Sequence, residues 1–309
     1  MKPALEIQQL TKIYGEATVV KGISLSVAQG EIFGLLGPNG AGKSTTINMV
    51  TGVTNITSGK AYVHGFDVQS QFIESRRRVG VMHQELVIDT FFTIDKALEI
   101  HSGYYGVPDD PKWRNLLIER LALGPHLKKS MNRLSGGMKR RFMVAKALIH
   151  KPRVLILDEP TAGVDVELRR NLWDFVLEMN QKEGTTILLT THYLEEAEEM
   201  CKRVAIMNNG SVVAMEETKK LLSRIDEKKI LVHVREPLAH LPESLGSLDC
   251  ELLENGLVLS FPVNAKHSPN HILHCLSETK IHIQEIETRT PSLQDAFLKL
   301  TSSHKGAHV

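Results

Sequence analysis

Several segments of the chain alternate apolar and polar side chains. Residues 4–9 and 19–27 do so near the amino terminus, and residues 60–68 do so on both sides of a glycine. Because successive strand residues point to opposite faces of a sheet, the alternation predicts half-buried strands. Residues 203–215 predict a hairpin whose turn is the Asn-Asn-Gly sequence at 208–210.

A second class of segment is short and almost entirely apolar. Residues 31–36, 154–157 and 185–189 have this character, and such runs are typical of buried parallel strands. The first is followed by a glycine-rich turn and a helical pattern at 44–50, and a helical pattern at 165–181 lies between the other two. The sequence therefore predicts an α/β fold built from strand–helix–strand units.

The remaining pattern divides the chain into regions. Residues from about 86 to 148 have a mainly helical pattern with polar faces. After about residue 225 strand-like and helix-like segments mix, which predicts a small α+β domain at 226–302 and a frayed tail at 303–309. Residues 1–225 form the main predicted domain.

Composition narrows the class of protein. The hydrophobic share of 42% is that of a globular chain and excludes wholesale disorder, and a formal charge of +1 gives no support for nucleic-acid binding. Three cysteines without a CxxC pair indicate a reducing compartment. The amino-terminal residues are polar and lack the apolar segment of a signal peptide, so we expect none, and no apolar run approaches the ~18 residues of a membrane helix. We expect a soluble, cytosolic protein that contacts a membrane through a partner.

A glycine-rich segment between a predicted strand and a predicted helix fits the phosphate-loop pattern GxxxxGK[ST]. Its residues are Gly37, Pro38, Asn39, Gly40, Ala41, Gly42, Lys43, Ser44 and Thr45. Glycines let successive N–H groups converge on phosphate oxygens at the positive end of a helix. Lys43 supplies a cation for the β- and γ-phosphates, and the Ser44 hydroxyl suits Mg²⁺. The segment predicts an ATP site.

Two carboxylates end a later apolar strand. Asp158 and Glu159 follow the run at 154–157, and the carboxyl end of a parallel strand is where such sheets present ligands. Asp158 is predicted to hold Mg²⁺ and Glu159 to act as the general base for the attacking water. Alone, the pair would also fit an acidic turn.

The sequence Leu-Ser-Gly-Gly-Met at 134–138 precedes a helical run and lies about twenty residues before Asp158. At this place ABC ATPases have LSGGQ, and the chain resembles that family. The resemblance implies that Ser135, Gly136 and Gly137 cradle ATP held by the phosphate loop of a second subunit. Alone, such a segment also fits a glycine-rich helix start without a ligand.

Four further residues match family motifs in the same order. The resemblance implies that Tyr14 stacks on adenine, although a strand tyrosine in the core also fits this position. It implies that Gln84 senses Mg²⁺ and water; the preceding His83 stands where many relatives have proline. It assigns Asp165 to the loop that crosses the dimer interface and His192 to the switch that contacts the γ-phosphate. The catalytic set is then Glu159, His192, Gln84 and Lys43, and the metal set Ser44, Gln84 and Asp158.

The resemblance covers about residues 4–225 and includes every motif. It implies a P-loop core, an antiparallel β subdomain and a helical subdomain at about 86–148. Met138, the sequence THYLEEAE and the late PSLQDAFLKL are similar to the ABC-2 exporter branch. The expected function is that of an ATPase that uses ATP and Mg²⁺ and energises export. We expect it to pair with a second, identical ATPase subunit, to bind no nucleic acid, and to dock at the cytoplasmic face of the membrane on a permease encoded by a separate chain.

Other functions compete with this one. An importer ATPase shares the same motifs. A soluble ABC protein of translation normally carries two ATPase cores in one chain, and only one core is visible. A DNA-repair ATPase has a long coiled coil between the two halves of its core, and residues 43–158 leave no room for one.

Overall fold

The computed structural model describes residues 2–85, 91–162, 164, 166–191, 193–225, 228–263, 266–279, 281–289 and 292–302. Contacts divide the chain into two units, Met1–Thr218 and Lys219–Val309. The sequence-based boundary after residue 225 falls at the end of a helix, Thr218–Ile225, that begins at this division. The predicted tail at 303–309 lies outside the described residues.

The first unit alternates strands and helices along the chain. Its strands are β1 (Leu5–Tyr14), β2 (Ala17–Val27), β3 (Ile32–Leu36), β4 (Ser58–Val63), β5 (Phe66–Asp67), β6 (Val79–Met82), β7 (Val154–Asp158), β8 (Thr186–Thr190), β9 (Arg203–Asn208) and β10 (Ser211–Glu217). Its helices are α1 (Lys43–Val50), α2 (Phe72–Arg76), α3 (Ile94–Tyr104), α4 (Pro111–Arg120), α5 (Gly136–Leu148), α6 (Val166–Glu183) and α7 (Leu194–Met200).

An antiparallel sheet has the strand order β2-β1-β4-β5. The side chains of Leu5 and Ile7 are buried, and the next buried residue of β1 is Leu10 instead of residue 9. The pairing of β1 with β2 shifts register between Ile7 and Leu10, where Gln9 has a φ of 47°. A bulge of this kind adds one residue to a strand and restores the inward face after it. The half-buried strands expected from the alternation are therefore present.

A second sheet, of order β10-β9-β3-β8-β7-β6, forms the centre of the unit. Strands β9, β3, β8, β7 and β6 pair in parallel, and every residue of β3, β7 and β8 is buried. The bare apolar runs are thus the buried parallel strands that the sequence predicts. Strand β10 pairs antiparallel with β9 through the turn Asn209-Gly210, whose φ values of 47° and 81° are those of a type I′ hairpin.

The helical region contains α3, α4 and α5. Helix α4 begins where the Asp110 carboxylate accepts hydrogen bonds from the N–H groups of Lys112 and Trp113, with Pro111 at the first helical position. Helix α5 begins at Ser135, whose hydroxyl accepts a hydrogen bond from the Met138 N–H. These caps satisfy N–H groups that have no partner within the helix.

The second unit is a four-stranded antiparallel sheet with helices. Its strands are β11 (Lys228–Val234), β12 (Glu251–Leu253), β13 (Val258–Val263) and β14 (Ile283–Arg289), in the order β12-β13-β11-β14, and its helices are α8 (Thr218–Ile225), α9 (Pro269–Ser277) and α10 (Leu293–Ser302). Inward residues of β11 and β13 pack with Ile272 and Leu276 of α9. The unit therefore has its own apolar core.

Strand β6 packs against helix α5 so closely that residue 80 has no room for a side chain. A Cβ on Gly80 would lie 2.0 Å from the Ala147 carbonyl oxygen and 2.9 Å from Cγ of Pro152. We expect Gly80→Ala to lower the free energy of unfolding by about 2–3 kcal/mol, because either the strand or the helix must shift. Denaturant unfolding followed by circular dichroism measures the change.

Gly103 provides the matched control. It lies in helix α3, and a Cβ there would meet nothing within 4 Å. Gly103→Ala should leave stability unchanged or raise it by about 0.5 kcal/mol, because alanine loses less backbone entropy than glycine in a helix. Equal destabilisation by both substitutions would contradict the close packing of β6 on α5.

Candidate functional site

The predicted phosphate loop and the two predicted carboxylates lie at one edge of the parallel sheet. Residues 37–42 follow the carboxyl end of β3, and Asp158 ends β7. Thr190 ends β8, which pairs with both strands. Parallel strands that end together present their loops on one side of the sheet. The fold therefore brings together motifs that are more than a hundred residues apart in the chain.

The phosphate loop requires glycine at particular positions. Gly40 and Gly42 have φ values of 79° and 102°, in the region that favours glycine. A Cβ on Gly37 would lie 2.5 Å from the Met207 carbonyl oxygen on β9. Glycine is therefore required at residues 40 and 42 by the backbone conformation and at residue 37 by the close approach of β9. The loop leads directly into the amino terminus of α1.

Lys43 is the first residue of α1, and its side chain is buried. Its Nζ donates hydrogen bonds to the carbonyl oxygens of Gly37, at 2.8 Å, and Pro38, at 3.1 Å. Burial lowers the pKa of Lys43, while the carboxylates of Glu159 and Asp158 act in the opposite direction. The ammonium group is therefore bonded to the loop and interacts electrostatically with the carboxylates of Glu159 and Asp158.

Thr190 holds the two acidic residues. Its hydroxyl donates to Oδ1 of Asp158, and its carbonyl and hydroxyl oxygens accept from the Glu159 N–H at 3.0 and 3.1 Å. Glu159 has a φ of 49°, a left-handed conformation that costs about 1–2 kcal/mol for a residue with a Cβ. Both acidic residues are buried. Strand β8 thus holds Glu159 in this strained backbone conformation through Thr190.

Gln84 contacts the same glutamate from the segment after β6. Its Nε2 donates a hydrogen bond of 3.1 Å to Oε2 of Glu159. The preceding His83 is partly buried, and burial lowers its pKa although Asp158 acts to raise it. With His83 at the preceding position, Gln84 still reaches the carboxylate.

A third element reaches Glu159 from helix α5. The Nη1 atom of Arg140 donates a hydrogen bond of 2.8 Å to the main-chain carbonyl oxygen of Glu159. Burial lowers the pKa of Arg140, and Glu159 acts to raise it. In the sequence Arg140 is one of three consecutive basic residues at 139–141. The sequence contains no signal for this bond, because the two residues lie on different elements.

The adenine and phosphate contacts expected from the sequence are accessible. The Tyr14 side chain is 49% exposed at the end of β1, with the Lys12 ammonium 4.7 Å from its ring centre, so the alternative of a core tyrosine is wrong. Asn39 is exposed, and Ser44 and Thr45 are partly exposed. These side chains are able to meet a ligand without rearrangement of the core.

The Ser-Gly-Gly segment lies on the surface of the unit. Ser135 and Gly136 are exposed at the amino terminus of α5, and Gly137 is partly exposed. A Cβ on Gly136 would meet nothing within 4 Å. The packing of this chain therefore does not itself require glycine at residue 136.

The buried carboxylate of Glu196 connects the loop after β7, which carries Asp165, to the loop after β8, which carries His192. Oε2 of Glu196, on α7, accepts hydrogen bonds from the hydroxyls of Thr161, at 3.0 Å, and Thr191, at 3.2 Å. Its Oε1 lies 3.4 Å from Nε of Arg169 on α6. Asp165 and His192 themselves lie outside the described residues. Nothing in the sequence distinguishes Glu196 from the other glutamates of this segment, because the sequence does not show which of them is buried.

We expect Glu196→Ala to lower the free energy of unfolding by about 3 kcal/mol. The substitution removes the acceptor of two buried hydroxyls and takes a carboxylate away from the partly exposed Arg169, and each buried donor left unsatisfied costs about 1–3 kcal/mol. Chemical denaturation measures the loss. The neighbouring Glu195 is exposed, so Glu195→Ala should change stability by less than about 0.5 kcal/mol. Equal values for the two variants would contradict the structural role of Glu196.

No helix in the described part of the chain is long and apolar enough to cross a membrane. Comparison with known proteins gives consistent matches. The model of the ABC transporter family matches residues 20–162.

Two relatives extend the similarity to nearly the whole chain. The chain is 33% identical over 306 residues to the linearmycin resistance ATP-binding protein LnrL of Bacillus subtilis, covering 96% of this chain and 98% of that protein. It is 35% identical over 304 residues to the Nod factor export ATP-binding protein I of Ralstonia nicotianae, covering 97% and 94%. A solved ATP-binding subunit of an ABC transporter superposes with a TM-score of 0.67 at 28% identity, over 72% of this chain and 92% of that one.

Proposed function

The chain belongs to the ATP-binding proteins of ABC transporters, and from this premise we propose that it drives export through a membrane permease carried on a separate chain. It is an ATPase of the ABC type. The observation that carries the proposed mechanism is the convergence of Gln84, Thr190 and Arg140 on Glu159, beside the buried Lys43. These contacts hold one carboxylate next to a phosphate loop.

Phosphate binding follows from the loop and Lys43. The main-chain N–H groups of residues 37–45 and the positive end of α1 favour the negative phosphates. The Lys43 ammonium bonds carbonyl oxygens of the loop, and these are weaker partners than phosphate oxygens. We propose that Lys43 transfers its bonds to the β- and γ-phosphates, while Tyr14 stacks on adenine and Asn39 and Thr45 line the phosphates.

The residues at the sheet edge also suit Mg²⁺. Ser44, Asp158 and Gln84 offer a hydroxyl, a carboxylate and an amide, an all-oxygen set of the kind that magnesium prefers. Asp158 is already held by the Thr190 hydroxyl, which fixes the orientation of its carboxylate. When bound, the cation offsets the charge of the phosphates. We propose these three residues as its protein ligands.

Hydrolysis then depends on Glu159. Its carboxylate accepts a proton from the attacking water while the water oxygen bonds to the γ-phosphorus and the bond from that phosphorus to the bridging oxygen breaks, which releases ADP. Gln84 and His192 orient the water and the γ-phosphate. Hydrogen bonds from other elements fix Glu159, so little reorganisation is needed when the bond to phosphorus forms. We propose Glu159 as the general base.

The second phosphate cradle serves another subunit. Ser135, Gly136 and Gly137 are accessible at a helix amino terminus, and residue 136 has no steric need of its own for glycine. Close approach of a ligand from outside the chain supplies that need. We propose that two copies of the chain sandwich two ATP molecules, with Asp165 at the contact between them.

Export is the direction that the whole-length relatives support. One relative is named for Nod factor export and the other for linearmycin resistance, and both align across the second unit of this chain. We propose the same direction here, with the permease docked near residues 84–105 on the cytoplasmic face of the membrane. An importer ATPase or a soluble non-transport ABC ATPase is the alternative, and copurification of an integral-membrane partner distinguishes the last of these.

We expect Glu159→Gln to reduce ATP turnover by about 100-fold or more, because the amide cannot accept the proton. ATP binding should persist, and light scattering should show a dimer stabilised by ATP. Glu183→Gln removes an exposed carboxylate at the end of α6 and should retain turnover. Unchanged turnover in Glu159→Gln would remove Glu159 from the role of base.

Mixing two inactive chains tests the sandwich. Lys43→Ala damages the phosphate loop, whereas Gly136→Asp adds a negative charge to the exposed cradle at a position with space for a side chain. Half of the dimers in an equal mixture contain both variants, and each of these has one intact site out of two. Turnover should therefore recover to roughly a quarter of the wild-type value. A mixture no more active than its separate components would contradict a shared site.

A further inference from the structure

We propose that Arg140 is a positioning residue for ATP hydrolysis, which holds the main chain of Glu159 and so aims its carboxylate from helix α5. The inference rests on the proposed role of Glu159 as general base. It adds a direct link from the helical region to the hydrolytic residue of the same chain.

The main-chain groups of Glu159 are bonded from separate elements. Its N–H donates to Thr190 on β8, and its carbonyl oxygen accepts from Nη1 of Arg140, at 2.8 Å, and from the N–H of Ala162, at 3.3 Å. The bond from Arg140 comes from the helical region, whereas Ala162 belongs to the turn that contains Glu159. Through this bond Arg140 connects α5 to the turn that contains Glu159.

The backbone conformation of Glu159 depends on contacts such as the bond from Arg140. A residue with a Cβ remains at a φ of 49° only where its surroundings hold it there. The carbonyl oxygen that Arg140 binds belongs to the peptide plane directly after the Glu159 Cα. The carbonyl carbon and Cβ are both bonded to that Cα, so a displacement of the carbonyl group that changes φ also turns the side chain about the N–Cα bond and redirects the carboxylate. A displacement of α5 is therefore transmitted to the carboxylate through one charge-assisted hydrogen bond.

The surroundings of Arg140 agree with this function. The guanidinium is partly buried, and the Glu159 carboxylate provides the favourable charge interaction that opposes its desolvation. Its neighbour Arg141 makes a bond of a similar kind, from Nη1 to the Leu121 carbonyl oxygen at 3.3 Å, but that contact stays within the helical region. Of these two adjacent arginines, Arg140 therefore contacts Glu159, whereas Arg141 connects two helices of the helical region.

Two substitutions of Arg140 test the role. Arg140→Met retains the apolar stem and removes the donors, whereas Arg140→Lys retains a cationic donor. Single-turnover and steady-state hydrolysis by the full-length chain give kcat and KM. We expect Arg140→Met to lower kcat by about 10- to 100-fold, because misplacement of a catalytic group by about 1 Å has effects of this size. KM for ATP should change by less than about twofold, and Arg140→Lys should recover much of kcat.

Arg141→Met is the matched control for a structural effect. It removes an arginine-to-carbonyl bond from the same helix, and we expect it to reduce kcat far less than Arg140→Met does. Equal losses of kcat for the two variants would show general damage to α5 and overturn the proposal. A kcat of Arg140→Met within about twofold of wild type would also overturn it, as would a change confined to KM.

The double variant with Glu159→Gln separates failure of this inference from failure of the proposed function. If Arg140 acts through Glu159, adding Arg140→Met to Glu159→Gln should produce little further loss of turnover. Losses that multiply would overturn the positioning role while leaving Glu159 as base. Full turnover of Glu159→Gln alone would instead refute the role of Glu159 on which the inference rests.

Discussion

The hydrogen bonds between the ends of β7 and β8 are the interaction on which the site depends. Thr190 binds the Asp158 carboxylate through its hydroxyl and the Glu159 N–H through two oxygens. Register between two buried parallel strands places Asp158 opposite Thr190, so core packing sets the position of both acidic residues. The close-packed sheet therefore limits the movement of the polar residues at its edge.

Around this fixed edge, parts of the fold that are distant in sequence reach the same glutamate. Gln84 contacts its carboxylate, and Arg140 contacts its carbonyl oxygen. Each contact comes from an element that enters or belongs to the helical region, where the permease is proposed to dock. A movement there would change the position of Glu159 through polar contacts instead of through the apolar core. Such an arrangement is suited to hydrolysis that responds to a membrane partner.

The second unit has an independent core of its own and lies outside the region matched by the family model. The relatives nonetheless align over 96% and 97% of the chain, so they share this unit, whereas the solved ATP-binding subunit covers only 72%. The second unit is therefore common to this chain and to these two relatives, one named for linearmycin resistance and the other for Nod factor export. Its strand β14 is exposed along its whole length.

Local patterns were enough to establish the α/β fold, the buried parallel strands, the phosphate loop and the carboxylates at the end of β7. These features depend on periodicity, on glycine and on residues adjacent in the chain, all of which a sequence displays directly. Burial of Glu196 among four glutamates of one segment, and the bond from Arg140 to Glu159, depend on which elements meet in space. The chain order does not record such meetings, because long-range packing decides which of several chemically equal side chains is enclosed. The tertiary structure alone therefore identified the residues that hold Glu159 in place.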